Sequence, residues 1–315
     1  MKAGLIDLGG RMPNLALMRI SSWHKSQGDK VTLGAGGDVT YISCCFSRHH
    51  RKAEALVDLY PHSAIGGPGW DPAVTLPQEV ANCRPDYSLY GITYGIGRLT
   101  EGCPGACPWC VVPATEGTLV KTVARIGDVA NPLGDMIVLL DANILASADW
   151  IDHFKDIREW GGWVDLTQGL DIRLVSDLAA FQIARLKTMS VAAWVKARGK
   201  GGRLRKGRVH FSWDRMDIEY HVREGIKLLS RYMSPDRLTC YMMVGYDATW
   251  EEDWYRFQVL RDLGVNPFVM VYEGAVAKSR HFARFVNKRI YKVATWEEYK
   301  RWNKAMEGQQ DFKVV

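Results

Sequence analysis

Hydrophobic and polar positions form blocks of two kinds along the middle of the chain. Short runs rich in β-branched and aromatic residues have the pattern of buried strands, and the longer segments between them carry apolar residues at helical spacing. The predicted strands are Ile92–Leu99, Met136–Leu140, Trp163–Thr167, Val209–Trp213, Thr239–Val244 and Pro267–Tyr272. The predicted helices are Ala148–Trp160, Ala179–Met189, Ile218–Tyr232 and Glu251–Leu263. Because such alternation is typical of parallel strands joined by right-handed crossovers, we predict an α/β fold, and six strands favour a partial (β/α)6 TIM-like barrel.

A smaller α/β domain is predicted before this barrel. Its strands are Lys2–Asp7, Lys30–Leu33 and Val39–Cys44, and its helices are Asn14–Ser26 and Arg51–Leu59. Glycine and proline are dense over residues 66–72, which indicates a loop or linker. We therefore predict a first domain over residues 1–90, a barrel over residues 91–275 and a basic helical extension over residues 276–315.

The composition is that of a soluble globular protein, with 47% hydrophobic and 24% charged residues. The sequence contains neither an apolar run long enough to span a bilayer nor a secretory signal at its start, so we expect a cytoplasmic protein with no membrane partner. The net charge of +6 permits a polyanionic partner. Seven cysteines, an odd number, favour metal ligands or buried thiols over a disulfide framework.

Three of these cysteines, Cys103, Cys107 and Cys110, lie in one Gly/Pro-rich segment after the first predicted barrel strand. Thiolates at spacings of four and three residues in a tight loop can wrap one face of a [4Fe–4S] cluster. Three ligands leave one iron open for a small chelating molecule. The alternative is a zinc site with a distant fourth ligand, such as Cys240 or a histidine.

The C-x3-C-x2-C spacing, with Trp109 just before the last cysteine, resembles the cluster motif of the radical S-adenosylmethionine superfamily. The resemblance covers about residues 90–275. It implies a radical S-adenosylmethionine barrel in which the cofactor chelates the open iron through its amino and carboxylate groups. It also implies reductive cleavage to a 5′-deoxyadenosyl radical that abstracts hydrogen from a substrate. The electron would come from an external donor such as flavodoxin or ferredoxin.

The resemblance also predicts where the cofactor is bound. The family's Gly-Gly-Glu type stretch corresponds here to Asp141 and Asn143, although Asn143 has the alternative role of a helix cap. Asp171 and Arg173 either bind the cofactor or form a structural pair, and Trp109 either lies near the adenine or packs under the loop. The predicted cofactor-binding residues are Trp109, Asp141, Asn143, Gln168, Asp171, Arg173, Asp214 and Gly245.

The first domain resembles the Rossmann-type domain of cobalamin-binding radical enzymes in its Gly66-Gly67 pair and its Pro13–Gly28 segment. The D-x-H-x-x-G signature of those enzymes is absent, so we expect no cobalamin. The run Val111-Val112-Pro113 is similar to the stretch that follows the cluster motif in the tRNA methylthiotransferases, which carry a second cluster. The upstream cysteines are therefore either ligands of such a cluster or buried structural thiols: Cys44, Cys45 and Cys83.

A basic, Gly-rich segment before the fourth barrel strand is the main indication of the substrate. It either contacts phosphates as a flexible insertion or is a solvated loop. Its candidate substrate-binding residues are Lys196, Arg198, Arg203, Arg205 and Lys206. RNA base modification is the predicted chemistry, with Trp194, Trp213 and Tyr220 either stacking on bases or packing in the core. The alternatives are a peptide or small-molecule substrate, a cobalamin-dependent methyltransferase, and a non-catalytic iron–sulfur or zinc module that binds nucleic acid.

Overall fold

The computed structural model describes residues 1–105, 107–272 and 275–302. It has mixed α/β architecture with parallel sheets. The chain divides into two compact units, one made of Met1–Leu170 with Arg185–Gly207 and the other of Asp171–Ala184 with the chain from Arg208 onward. The part of the predicted C-terminal extension after residue 302 lies outside the described residues, and the predicted domain boundaries near residues 90 and 275 stay predictions.

The first unit begins with a four-stranded parallel sheet. Its elements are β1 (Lys2–Leu8), α1 (Leu15–Ser26), β2 (Lys30–Leu33), β3 (Val39–Cys44), α2 (His50–Leu59) and β4 (Ser63–Gly66), in the strand order β2-β1-β3-β4. Asn14 caps α1, because its side-chain oxygen accepts a hydrogen bond from the Leu17 amide at 3.2 Å. Gly28, with φ of 81°, lets the chain leave the helix for β2. The predicted elements of this region are confirmed, with shifts of one residue at three ends.

A second sheet in the same unit carries the cysteine segment. Its three parallel strands are β5 (Gly95–Gly97), β8 (Met136–Leu139) and β9 (Trp163–Leu166), in that order. A two-residue antiparallel ladder, β6 (Thr100–Glu101) with β7 (Lys121–Thr122), follows β5. The helices of this part are α3 (Gln78–Ala81), α4 (Val112–Thr115), α5 (Ile126–Val129), α6 (Trp150–Trp160) and α8 (Val191–Gly199).

The second unit repeats the strand–helix alternation. Its elements are α7 (Asp177–Arg185), β10 (Val209–Ser212), α9 (Glu219–Ser230), β11 (Leu238–Val244), α10 (Trp250–Asp262), β12 (Asn266–Val271), α11 (Ala277–Asn287) and α12 (Trp296–Trp302). The parallel sheet has the order β10-β11-β12. Aromatic rings fill the core between α10, α11 and α12; for example, Phe285 and Trp296 have ring centroids 5.2 Å apart.

All six strands predicted for the barrel are present, but they form two separate three-stranded sheets. The described residues contain no closed barrel, and a partial barrel stays a prediction. The predicted strand Ile92–Leu99 is reduced to Gly95–Gly97, because the Ile92 amide donates to the Tyr87 carbonyl in a turn rather than to a strand. Within the described residues, every helix is too short or too polar to cross a membrane.

Candidate functional site

The cysteine segment lies in a long loop that is closed at its base. Thr100 of β6 pairs with Thr122 of β7, and Glu101 pairs with Lys121. Next to this ladder, the Val123 amide donates to the Leu99 carbonyl at 2.8 Å. The two ends of the loop are therefore held together directly after β5, at the edge of the sheet where the carboxyl ends of parallel strands lie.

Gly102 fixes the path of the chain into the first cysteine. Its φ is 95°, and a Cβ at this position would lie 2.3 Å from the Leu119 carbonyl oxygen. Only glycine fits this combination of left-handed backbone and close approach. The Gly102 amide donates to Glu116 Oε2 at 3.2 Å, and the Cys103 amide donates to the Gly117 carbonyl at 3.1 Å. The chain that enters the loop at Gly102 and Cys103 is thus hydrogen-bonded to the chain at Glu116 and Gly117.

Glu116 also links this part of the loop to the strand before it. Its carboxylate lies 3.3 Å from the Arg98 guanidinium, and its side chain is only 8% exposed. A carboxylate that is nearly buried is stabilised when a cation and a backbone N–H both contact it. Glu116 therefore acts as a clamp between Arg98 and Gly102, a role that the sequence analysis did not predict.

The sulfur of Cys103 accepts two hydrogen bonds. The backbone amide of Gly105 donates to Sγ at 3.4 Å, and Nδ2 of Asn143 donates to it at 3.6 Å. Asn143 is 2% exposed and follows β8, so the neighbouring strand contributes one of the donors. Amide donors to a ligand sulfur orient it and tune any metal that it binds. Asn143 makes no side-chain cap to the short helical turn after it, so the helix-cap alternative is wrong.

Asp141 faces the strand that leads into the loop. Its Oδ1 accepts hydrogen bonds from the Thr100 amide at 2.6 Å, the Thr100 hydroxyl at 2.7 Å and the Leu99 amide at 3.1 Å. The residue is 5% exposed, and burial raises the pKa of its carboxyl to about 6. Asp141 thus fastens the end of β8 to the base of the loop. Its predicted contact with the cofactor amino group stays a prediction.

The other two cysteines of the motif lie further along the loop. The Cys110 amide donates to the Cys107 carbonyl at 3.0 Å in a tight turn. Cys110 is exposed, and Cys107 and Trp109 are partly buried. All seven cysteines of the chain are thiols rather than disulfide partners.

The donor chemistry of the loop fits an iron–sulfur cluster. Three thiols in one closed loop, with two N–H donors on one sulfur, are the ligand type that such clusters take. In the described residues, which leave out Ala106 inside the loop, no three His, Cys, Asp or Glu side chains form a group that could hold a metal ion. The fit therefore rests on ligand chemistry and position, and Cys103, Cys107 and Cys110 are the residues that would hold the cluster.

The remaining predicted cofactor residues divide between the two units. Gln168 is exposed just after β9 in the first unit. In the second unit, the Asp171 carboxylate accepts from Arg173 Nε at 2.8 Å and from its Nη2 at 2.7 Å. The structural pair that we gave as the alternative for these two residues is therefore present. A role in cofactor binding stays a prediction for each of the three.

Asp214 and Gly245 follow the neighbouring strands β10 and β11 of the second unit. Asp214 accepts a hydrogen bond from the Met243 amide at 2.7 Å, and burial raises the pKa of its carboxyl. Gly245 has φ of 80°, and a Cβ there would lie 2.4 Å from the Cβ of Ala275. The backbone conformation and close packing thus require glycine at position 245 for structural reasons.

A buried ion pair at these strand ends was missed by sequence reasoning. Arg256 is fully buried and donates to the Trp213 carbonyl at 2.5 Å, the Met243 carbonyl at 2.9 Å and the Asp253 carboxylate. Burial raises the pKa of Asp253 to about 6. The available signal was the placement of Asp253 and Arg256, three positions apart, on the apolar side of α10 beside Phe257.

The Gly-rich stretch that carries the candidate substrate-binding residues is more ordered than predicted. Lys196 and Arg198 belong to α8, so the interpretation of a flexible insertion is wrong for this part of the segment. Trp194 is 4% exposed and Trp213 is fully buried, which confirms core packing for both, whereas Tyr220 is 71% exposed. The candidates Arg203, Arg205 and Lys206 follow α8 and are exposed.

The cysteines outside the motif are placed as structural thiols. Cys44 packs in a buried cluster with Ile42, and Cys45 accepts a hydrogen bond from Asn14 Nδ2 at 3.3 Å. Burial raises the pKa of both thiols. Cys83 donates to a backbone carbonyl of α3 at 3.2 Å, and full burial raises the pKa of Cys240 well above its ordinary value. For Cys44, Cys45 and Cys240, these surroundings favour protonated thiols over ligands.

No protein-family model matches the sequence. No curated protein is similar enough to count as a match.

Proposed function

We propose that this protein is a radical S-adenosylmethionine enzyme with a [4Fe–4S] cluster on Cys103, Cys107 and Cys110. The observation that carries the proposal is the C-x3-C-x2-C triplet in a closed loop directly after the parallel strand β5. The hydrogen bond from Asn143 to Cys103 Sγ supports it, because this bond connects the loop to the end of the adjacent strand β8.

Three residues around the loop hold the cysteine segment in one conformation. Gly102 and Glu116 hold the path of the chain at Cys103, and Asp141 fixes the strand before it. When bound, the cluster and S-adenosylmethionine would supply one-electron cleavage of a sulfonium bond and a 5′-deoxyadenosyl radical for hydrogen abstraction. A loop that is fixed by these contacts would limit reorganisation of the ligands at the cluster.

The proposal includes an external electron donor such as flavodoxin or ferredoxin. Each reductive cleavage consumes one electron, which the protein has to receive from a reductant. Dithionite can replace this donor in an assay.

The experiment is anaerobic reconstitution of the full chain with iron and sulfide, followed by addition of S-adenosylmethionine and dithionite. Iron content and 5′-deoxyadenosine are measured for the unmodified protein, Cys107→Ala and Cys83→Ala. We expect the Cys107 variant to lose both signals. The Cys83 variant is the matched control and should keep both, because its thiol lies outside the motif and donates to the Glu79 carbonyl.

A fully loaded cluster that leaves S-adenosylmethionine intact, with and without candidate substrates, would contradict the enzymatic proposal. That result would favour a structural iron–sulfur module. Equal loss of iron in the Cys83 variant would contradict the assignment of the ligands.

A further inference from the structure

One stretch of the first unit concentrates positive charge. Residues 185–207 contain eight Lys or Arg and no Asp or Glu. The cations are Arg185, Lys187, Lys196, Arg198, Lys200, Arg203, Arg205 and Lys206. The whole chain has a net charge of +6, so the part outside this stretch sums to −2, that is, +6 less +8. The basic character of the protein is therefore a local property of this stretch, which we call the basic segment.

The backbone of the basic segment is anchored to the unit. Trp194 packs in a buried cluster with Met136 and Met189, and Leu204 packs against the same cluster. The Gly202 amide donates to the Ala197 carbonyl at 2.8 Å, and the Gly207 amide donates to the Thr188 carbonyl at 2.6 Å. The apolar side chains thus hold the segment in place while its cations remain outside.

Four of these cations contact no carboxylate among the residues that the structure describes. Arg198 forms an ion pair with Asp135, with 2.5 Å between Nη2 and Oδ2. Lys196, Lys200, Arg203 and Arg205 are exposed and contact no carboxylate in the part of the chain that the structure describes. Like charges held close together repel one another, so an arrangement of this kind gains stability from an anionic partner.

The chemistry of the surface favours phosphates over an acidic protein or a membrane. Protein interfaces centre on exposed aromatic and apolar side chains. Of residues 185–207, all of which are described, Val195 is the one large apolar residue that is exposed, at 50%. Trp194 is in the core, so α8 has no apolar face for a membrane. A phosphodiester backbone needs only cations, and arginine suits it best.

We infer that residues 196–206 bind the phosphodiester backbone of a nucleic acid. As a statement about the enzyme's substrate class, this inference rests on the proposed function. The binding of nucleic acid itself needs no cluster. Because no exposed aromatic ring lies within the described residues of the segment, the contact is to phosphates rather than to bases, and it positions the nucleic acid independently of sequence.

The test measures fluorescence anisotropy of the full chain with a labelled RNA and with DNA of the same sequence. Salt is varied from about 50 to 200 mM, the range over which phosphate contacts change affinity strongly. The test variant is K200Q/R203Q/R205Q. The matched control is K30Q/R51Q/K52Q, which removes three exposed cations elsewhere in the same unit and gives the same net charge.

We expect the test variant to weaken binding by about tenfold to a hundredfold and to reduce the salt slope by about 3. The control should bind like the unmodified protein. Tighter binding of RNA than of DNA would identify RNA as the source of the phosphates, and equal binding would support a surface for either nucleic acid.

Equal weakening by the two variants would overturn the inference, since the effect would then follow net charge alone. Displacement of RNA by polyglutamate at the same charge concentration would also overturn it, in favour of an acidic protein. Nucleic-acid binding without 5′-deoxyadenosine formation would leave this inference standing and contradict the proposed function. The reverse result would contradict the inference and leave the enzyme standing.

Discussion

Nδ2 of Asn143 donates a hydrogen bond to Sγ of Cys103 over 3.6 Å. The two residues are forty positions apart, and the bond joins the end of β8 to the first cysteine of the motif. It makes the position of a candidate ligand sulfur depend on the neighbouring strand.

Replacing Asn143 with alanine should weaken the loop at Cys103. The variant loses a buried donor to sulfur, so the free energy of unfolding should fall by about 1–3 kcal/mol, as measured by urea denaturation without metal. After reconstitution, the variant should release iron to a chelator faster than the unmodified protein. Asn143→Gln keeps the amide donor and tests whether its position matters. If the alanine variant retains iron as well as the unmodified protein does, Asn143 has no role in holding the Cys103 sulfur.

Replacing Gly102 with alanine should destabilise the protein by about 1–3 kcal/mol. The added Cβ would meet the Leu119 carbonyl oxygen in a left-handed backbone conformation. Gly127→Ala is the matched control, because nothing lies within 4 Å of a Cβ there and its φ is not positive. Thermal unfolding of both variants checks this, and a Gly102 variant as stable as the control would show that the loop adopts another path.

Asp141 should make stability depend on pH. Burial raises its folded-state pKa to about 6, above the value of about 3.9 in an unfolded chain, so the folded state binds the proton more tightly. Its contribution is therefore fully favourable below pH 4 and is lost as the pH rises towards 6. The size is about 3 kcal/mol.

The measurement is urea unfolding of the unmodified protein and Asp141→Asn between pH 4 and pH 7. The difference between the two proteins should change over this window, with the unmodified protein losing stability relative to the variant as the pH rises. Asp165 and Asp253, whose pKa values burial also raises to about 6, affect both proteins alike and cancel in the comparison. A constant difference across the window would mean that Asp141 ionises normally.

Arg256→Met should destabilise the second unit by about 3–5 kcal/mol, because it leaves Asp253 buried without its cation. The double variant R256M/D253N should recover part of the loss. Arg261→Met on the same helix is the control, and we expect a change within about 0.5 kcal/mol because this ion pair is exposed. Additive effects of the two substitutions in the double variant would exclude coupling between Arg256 and Asp253.

The sequence alone determined the local features of this protein. Apolar spacing predicted β2 and β3 to the residue and placed all six later strands, because period and side-chain shape record which faces are buried. The cysteine motif was equally visible, since its three thiols lie within eight residues of one loop. The candidate chemistry follows from that covalent spacing.

Tertiary structure decided which partners the polar groups meet. Asp141 is turned to Thr100 and Asn143 to Cys103, contacts about forty residues apart that no periodic pattern encodes. Arginine is usually a surface residue, yet packing buries Arg256. There it donates to the backbone carbonyls of Trp213 and Met243 at the ends of two strands. Periodicity reports burial one element at a time, whereas hydrogen-bond partners are chosen only when the elements pack together.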